Sequence, residues 1–218
     1  MNPQLLQVVL LTAQVTGLAL AISALLGIPL GALMALAHFP GRRFVVAVIY
    51  TGMGLPPVVV GLVVYMLLSR SGPLGGLGWL FTPSAMVVAQ TIISLPLVVG
   101  ITMTSIEAID PMFGLQVRSL GAARAQEIRT LLAEARQGVV AAVVAGFGGI
   151  ISEVGAAMLV GGNIEGRTRV LSTAIVLETR KGEYGLALAM GGILLSLAFM
   201  VNAALIRLQK RTIWWPGR

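Results

Sequence analysis

The chain has 218 residues, of which 57% are hydrophobic and 11% are charged, with a formal net charge of +7 and a mean hydropathy of +0.94. An ordinary soluble domain has about 25% charged residues, so this composition excludes a soluble globular protein and indicates one membrane domain over residues 1–218. The absence of cysteine excludes disulfides, thiolate metal sites and cysteine nucleophiles. The basic residues lie at the ends of apolar runs, which indicates membrane topology rather than nucleic-acid binding.

Five apolar runs are each long enough to cross a bilayer as a helix, which takes about 20 residues. The first run exceeds this length and leaves room for a tilt or a kink. The runs predict an all-α, polytopic transmembrane helix bundle of about five spans, with its core at about residues 5–208. They cover residues 5–37, 44–68, 84–106, 138–160 and 184–208.

The distribution of basic residues predicts the orientation of these spans. Five crossings place the two termini on opposite sides, and an N-terminus outside puts most of the 15 lysine and arginine residues on the inner side. Because basic residues favour the cytoplasm, we expect an N-out/C-in topology. The two longer polar segments, residues 107–137 and 161–183, are then cytoplasmic and external, respectively.

Prolines interrupt the second and third apolar runs. Pro56 and Pro57 lie in the second run, and Pro96 lies in the third. Proline removes a backbone hydrogen bond and can kink a helix, so these residues are candidates for a hinge or for the wall of a transport pathway. The alternative is ordinary packing, since proline is common in membrane helices.

A single acidic residue, Glu153, lies inside the fourth run, between Ser152 and Gly155. A charge at membrane depth is costly and indicates a functional site. Glu153, Ser152 and Gly155 are therefore pathway or gating candidates. The alternative that we favour for Glu153 is an ion pair with an arginine of the external segment, Arg167 or Arg169, since intramembrane acids usually find a partner.

The cytoplasmic segment has a pattern of two short helices. Asp110 followed by Pro111 is a helix-start signal, and a break is expected at 119–121. This segment is either a docking surface for a cytoplasmic partner or a basic loop that only sets topology. The residues around the break are Arg118, Ser119, Leu120, Gly121, Ala122, Ala123 and Arg124.

The external segment combines glycines with Asn163, Thr168 and Arg169. Backbone N–H groups and guanidinium groups suit an oxyanion, so these residues are further pathway candidates. The interpretation that we favour is a polar loop that docks an external partner or faces water. The lone His38 lacks co-ligands, so no metal site is predicted. No nucleotide-binding loop is present, so ATP hydrolysis would need another chain.

The segment around Gly121 resembles the coupling loop of type I ABC importer permeases. That loop has the pattern Glu-Ala-Ala, three residues, Gly, nine residues, Ile, one residue, Leu-Pro. Residues 119–122 match the centre of this pattern, and Gly121 takes the place of the family glycine. The flanking positions differ from it: Leu115, Gln116 and Val117 stand at Glu-Ala-Ala, Leu131 at Ile, and Ala133 and Glu134 at Leu-Pro.

Residues 152–164 and 168–182 resemble permeases for molybdate, sulfate and tungstate, most of all those for tungstate. The resemblance implies a transporter subunit of the inner cell membrane, without enzymatic activity or a cofactor of its own. It also implies three protein partners: a second copy of the chain, a cytoplasmic P-loop ATPase dimer and an extracytoplasmic oxyanion-binding protein. A symmetric pair also suits the sequence, because five unduplicated helices make a thin wall.

The implied function is ATP-driven import of a small oxyanion, with tungstate first and molybdate or sulfate as alternatives. A carboxylate repels such an anion, so Glu153 is then a structural or gating residue. An ATP-independent secondary transporter is a further alternative, but it predicts repeated halves, which the sequence lacks. A membrane scaffold would leave the broken cytoplasmic segment unexplained.

Overall fold

The structure, a computed structural model, describes residues 3–211 and is built of α-helices. The described part contains no β-strand, in agreement with the all-α prediction. A 3₁₀ turn, Gly75–Leu77, lies between the third and fourth helices. In chain order the helices are α1 Pro3–Leu36, α2 Arg42–Met53, α3 Pro57–Leu68, α4 Pro83–Glu107, α5 Pro111–Ser119, α6 Arg124–Glu134, α7 Arg136–Ile151, α8 Gly155–Gly161, α9 Leu171–Arg180 and α10 Tyr184–Arg211.

Three helices, α1, α4 and α10, are each long and apolar enough to cross a membrane alone. They correspond to the first, third and fifth predicted spans. Two bent pairs, α2 with α3 and α6 with α7, bring the possible crossings among the described residues to five. The described residues therefore have three to five possible crossings, consistent with the prediction of about five, although α6 lies in the segment 107–137 and only α7 and α8 fall in the fourth predicted run.

The second predicted span, residues 44–68, is broken. Helices α2 and α3 meet at an angle of 102°, and Gly54, Leu55 and Pro56 lie between them. Pro56 and Pro57 have no N–H to donate, so α2 cannot continue through them. Pro57 instead occupies the first turn of α3, where a missing N–H costs nothing.

The fourth predicted span, residues 138–160, is also broken. Helix α7 ends at Ile151 and α8 begins at Gly155, so 152–154 form a non-helical linker inside the apolar run. Pro96, by contrast, lies within α4, which is one helix from Pro83 to Glu107. The structure therefore has a break at Pro56 and next to Glu153, and none at Pro96.

Helix α4 is the centre of the bundle and packs against α1, α2 and α7. Small residues permit the close approach: a Cβ added at Gly31 of α1 would lie 2.6 Å from the Val99 carbonyl oxygen of α4. The buried hydroxyls of Ser23 and Ser94 form a hydrogen bond of 2.6 Å across the same pair of helices. Close packing and interhelical hydrogen bonds of this type stabilise membrane bundles.

The external segment, expected to be a polar loop, contains the helix α9. Its inner face, which includes Leu171, Thr173 and Ala174, is buried and packs against α10. The polar loop expected over 161–173 therefore ends at Val170, because α9 begins at Leu171.

Contacts between loops define the two ends of the bundle. Arg42, which follows α1, contacts Glu107 at the end of α4, so residues 38–43 and 107–137 share one end, here called the basic end. Gln7 of α1 donates a 2.9 Å hydrogen bond to the Gly166 carbonyl, which places the N-terminus and residues 161–170 at the opposite end. If each span crosses the membrane once, alternate loops must lie on opposite sides, and the loops at the two ends follow this order. Which end is cytoplasmic stays a prediction.

Candidate functional site

The predicted coupling segment forms a helix–joint–helix at the basic end. The Asp110 side chain accepts a 2.8 Å hydrogen bond from the Met112 N–H and caps α5, as its sequence position indicates. After α5, Gly121 has a φ of +83°, which glycine adopts without the cost that other residues bear. The Gln126 side chain then accepts a 2.8 Å hydrogen bond from the Ala123 N–H at the start of α6. The break therefore lies where the sequence predicts it.

An ion pair joins the two helices on either side of this joint. Arg118 of α5 lies 3.3 Å from the carboxylate of Glu127 of α6. Glu127 is buried, and the Arg118 side chain is more exposed. Burial of a carboxylate is costly without a partner, so this pair fixes α5 against α6. Leu131 and Phe113 pack in the apolar cluster beneath it.

Three apolar side chains of the segment face away from the bundle. Leu120 is 87% exposed, and Met112 and Leu115 of α5 are each at least half exposed. Leu120 lies between the end of α5 at Ser119 and Gly121, so α5 on one side and the glycine joint on the other fix the position of its backbone. Exposed apolar groups rimmed by polar residues are typical of a protein-binding surface. We call Met112, Leu115 and Leu120 the joint surface.

Arg42 ties the ends of α1 and α4 together at the basic end, a role that the sequence analysis did not assign. Its Nε and Nη2 donate to the Met34 carbonyl of α1, at 3.2 and 3.1 Å, and Nη2 also donates to Glu107 at the end of α4. The Met34 carbonyl is one of the last four of α1, which lack intrahelical partners. One feature of the sequence could have indicated this pairing: Arg42 and Glu107 each lie at the end of an apolar run.

Glu153 does not pair with an arginine, so that expectation was wrong. Its Oε1 accepts a 2.9 Å hydrogen bond from the Ala156 N–H in the first turn of α8, and its carbonyl accepts a 3.0 Å bond from the Ser172 hydroxyl. A carboxylate is favourable at a helix N-terminus, where amides lack partners. Arg169 instead pairs with Glu165, four residues before it, at 3.2 Å.

Thr168 organises the loop at the opposite end. Its buried hydroxyl donates to the Gly161 carbonyl and accepts a 2.9 Å hydrogen bond from the Ile164 N–H. Asn163, inside this loop, has a φ of +51°, which asparagine tolerates better than most residues. The Thr168 hydroxyl is therefore engaged within the chain, which favours a structural role for it, whereas the Arg169 guanidinium pairs with Glu165 through one nitrogen and leaves its buried Nε without a partner among the described residues.

The predicted site residues thus separate into three groups. Arg118 and residues 119–124 lie at the basic end, and Asn163, Thr168 and Arg169 at the opposite end. Ser152, Glu153, Gly155, Pro56 and Pro57 lie between the two ends, at the helix breaks. His38 is exposed, and within residues 3–211 no three His, Cys, Asp or Glu side chains are placed to share a metal ion.

Comparison with known proteins identifies relatives along nearly the whole chain. A probable anion ABC transporter permease protein of Haloferax volcanii is 41% identical over 98% of this chain and 93% of its own length. The tungstate uptake system permease protein TupB of Peptoclostridium acidaminophilum is 39% identical over 96% of this chain and 92% of its own. The molybdenum transport system permease protein ModB of Escherichia coli is 31% identical over 83% of both chains.

The fold is shared with a solved structure described as an amino acid ABC transporter with histidines. The two align with a TM-score of 0.68 at 22% identity, over 96% of this chain and 94% of the other.

Residues 27–214 match the family described as "Binding-protein-dependent transport system inner membrane component". The resemblance to ABC importer permeases is confirmed, as is the prediction of a multi-pass membrane protein, and the chain is a transporter subunit rather than an enzyme. It belongs to the family of inner membrane components of binding-protein-dependent transport systems.

Proposed function

We propose that this chain is the permease subunit of an ATP-driven tungstate importer. The observation that carries the choice of cargo is the 39% identity to a tungstate uptake permease along 96% of the chain. Identity is lower for the molybdenum permease, at 31%, and for a sulfate transport system permease protein of Escherichia coli, at 27%. Tungstate is therefore the first cargo, and molybdate is the second.

The joint surface is the part of the chain that we assign to the ATPase. Leu120 and Met112 offer apolar contact area, and the Arg118–Glu127 pair holds α5 in place behind it. Movement of the docked ATPase would be passed through Arg42 and Glu107 to the ends of α1 and α4. ATP binding then shifts the permease between two states by its differential contacts with them.

The remaining partners are a second copy of the chain and an external binding protein. Helix α10 buries Ala187 and Met190, but Leu188, Leu195 and Phe199 are each more than 70% exposed, so this outer face of the helix is free to meet lipid or another copy. A symmetric pair is the commonest way to complete such a wall. The opposite end, with the loop organised by Thr168, is the surface left for the binding protein.

Reconstitution in lipid vesicles tests the proposal. The permease is combined with candidate ATPase and binding-protein subunits from the same organism, and ATP hydrolysis is measured with the binding protein loaded with tungstate, molybdate or sulfate. We expect tungstate to stimulate hydrolysis most. A larger response to molybdate or sulfate would contradict the assigned cargo, and hydrolysis indifferent to the loaded binding protein would contradict the importer itself.

A pair of leucine substitutions tests the docking surface. Leu120→Ser is expected to reduce the amount of ATPase that co-purifies with the permease, because it removes exposed apolar contact area. Leu74→Ser is the matched control, since Leu74 is also exposed but lies in the loop before α4, at the opposite end. Equal ATPase recovery with both variants would remove the joint surface from the interface.

A further inference from the structure

The two helix breaks lie at the same depth in the bundle. A Cβ added at Gly52, near the end of α2, would lie 2.9 Å from the Pro96 side chain, and one added at Gly149, near the end of α7, would lie 3.0 Å from the Leu97 side chain. Pro96 and Leu97 are consecutive residues near the middle of the 25-residue α4. Each break begins within one turn of these contacts, so both lie near the middle of the membrane.

The helices that follow the breaks start side by side. A Cβ added at Gly155, the first residue of α8, would lie 2.5 Å from Val58 Cγ2, in the first turn of α3. One turn further, a Cβ at Gly61 would lie 2.6 Å from the Ala156 Cα. Helices α3 and α8 therefore pack in contact from their first turns, which brings the two breaks together as neighbours.

The backbone at the two breaks is not helical, and turn bonds, such as those from the Leu55 N–H to the Gly52 carbonyl and from the Glu153 N–H to the Ile150 carbonyl, pair only part of its polar groups. The last carbonyls of a helix and the first N–H groups of the next lack intrahelical partners. Leu55 and Ser152, one in each break, are exposed in the chain. Glu153 satisfies the Ala156 N–H on the side that faces the protein. Non-helical backbone at membrane depth occurs where it is buried in protein or lines water, because contact with lipid leaves these groups unpaired.

We propose that the two breaks line a single water-filled compartment at mid-membrane depth, with Leu55 and Ser152 facing the water. This assignment deepens the proposed function, on which it rests, by locating the section of the oxyanion pathway that each chain contributes. The one charged side chain of the two breaks is the acidic Glu153. A carboxylate repels an oxyanion, so the compartment passes the hydrated anion rather than binding it.

The chain has no cysteine of its own, so a single introduced thiol reports water access directly. Ser152→Cys is compared with Ser196→Cys, which replaces another exposed serine, within the unbroken α10. Leu55→Cys is compared with Leu195→Cys in the same helix; Leu195 is 73% exposed and Leu55 is 39% exposed, so exposure in the isolated chain favours the control. The probe is a charged, membrane-impermeant methanethiosulfonate, applied to native membranes from either side.

We expect Ser152→Cys and Leu55→Cys to react about tenfold faster or more than their controls, because the thiolate is the reactive form and apolar surroundings suppress it. All four variants must label fully after denaturation in detergent, which shows that the chain is present. Equal rates within either pair would overturn the proposal, and so would reaction at one break only, because the two breaks would not then share one compartment.

The rates are measured without ATP, binding protein or cargo. A failure of tungstate to stimulate ATP hydrolysis would therefore leave the labelling result intact. In the same way, unreactive thiols in a membrane that imports tungstate would overturn this inference alone.

Discussion

Val58 Cβ lies 3.6 Å from the position that a Cβ would occupy at Gly155. Any side chain at residue 155 would meet the Val58 methyl group at 2.5 Å, so this contact requires a residue without a Cβ. It is the closest link between the two broken spans, and its separation falls within the Cβ–Cβ range of disulfides, about 3.5–4.5 Å.

The first prediction is that Val58→Cys combined with Gly155→Cys forms an intrachain disulfide under mild oxidation. Mass spectrometry of the digested chain detects the linked peptides. Val58→Cys with Gly148→Cys is the control, because a Cβ at Gly148 meets no atom within 4 Å and Val58 therefore lies out of its reach. Two free thiols in the first variant after oxidation would show that the breaks are not neighbours.

The second prediction concerns the bonds that Arg42 makes to the Met34 carbonyl and to Glu107. Glu107→Ala is expected to cost about 1 kcal/mol or less of unfolding free energy, because it removes only a partly exposed ion pair. Arg42→Ala should cost more, about 1–3 kcal/mol, since it also leaves the Met34 carbonyl without its charged donor. Thermal unfolding in detergent checks the order, with exposed Arg43→Ala as the control. Equal losses for Arg42→Ala and Glu107→Ala would contradict the role of the bonds to Met34.

The third prediction separates backbone strain from bulk at the glycine joint. No atom lies within 4 Å of a Cβ at Gly121, so a substitution meets no obstacle, and its cost comes from the positive φ, about 1–2 kcal/mol for most residues. Gly121→Asn should retain ATPase co-purification, whereas Gly121→Val should reduce it by displacing α5 from α6. Equal recovery with both would show that the left-handed joint is not needed for docking.

The fourth prediction follows from the hydrogen bond that Glu153 accepts. Glu153→Gln keeps an acceptor for the Ala156 N–H, whereas Glu153→Ala loses it, at a cost of about 0.5–2 kcal/mol typical of a lost helix cap. We expect the alanine variant to be less stable than the glutamine variant, and neither to change the preference among oxyanions. A changed preference in transport competition would assign Glu153 to cargo recognition instead.

The fifth prediction concerns the loop at the opposite end. Thr168→Val keeps the shape of the side chain but removes its hydroxyl, which leaves the Gly161 carbonyl and the Ile164 N–H unpaired. The expected cost is about 1–3 kcal/mol for each group, whereas Thr168→Ser should cost much less. Thermal unfolding and hydrogen exchange at Ile164 measure the difference, and indistinguishable variants would contradict this role for the hydroxyl.

The apolar runs predicted the unbroken spans well, because hydrophobicity and helix length are local properties. The first break was signalled by Pro56 and Pro57, which cannot donate hydrogen bonds. The second break has no such signal: apolar residues continue on both sides of 152–154, and it depends on Glu153 and on the close packing of α8 against α3. That packing joins residues almost a hundred positions apart.

The partners of charged residues could not be predicted from composition. Arg169 was expected to reach Glu153, but Glu165 lies one helical turn away from it and forms the shorter-range pair. Glu127 and Arg118 pair only because the joint at Gly121 folds α5 beside α6. The sequence predicted the joint at 119–121 and the structure has it at 120–123, whereas the side chains that it brings together depend on the direction of the turn.

The exposure of Leu120 has a consequence for the relative amounts in which the permease and its ATPase are synthesised. Leu120 is 87% exposed, and on the docking that we propose only the ATPase would cover this apolar side chain. A permease chain made in excess of its ATPase keeps that group uncovered, and exposed apolar surface promotes aggregation. Balanced synthesis of the two chains is therefore a requirement of this joint, and expression of the permease alone is expected to give the poorer yield.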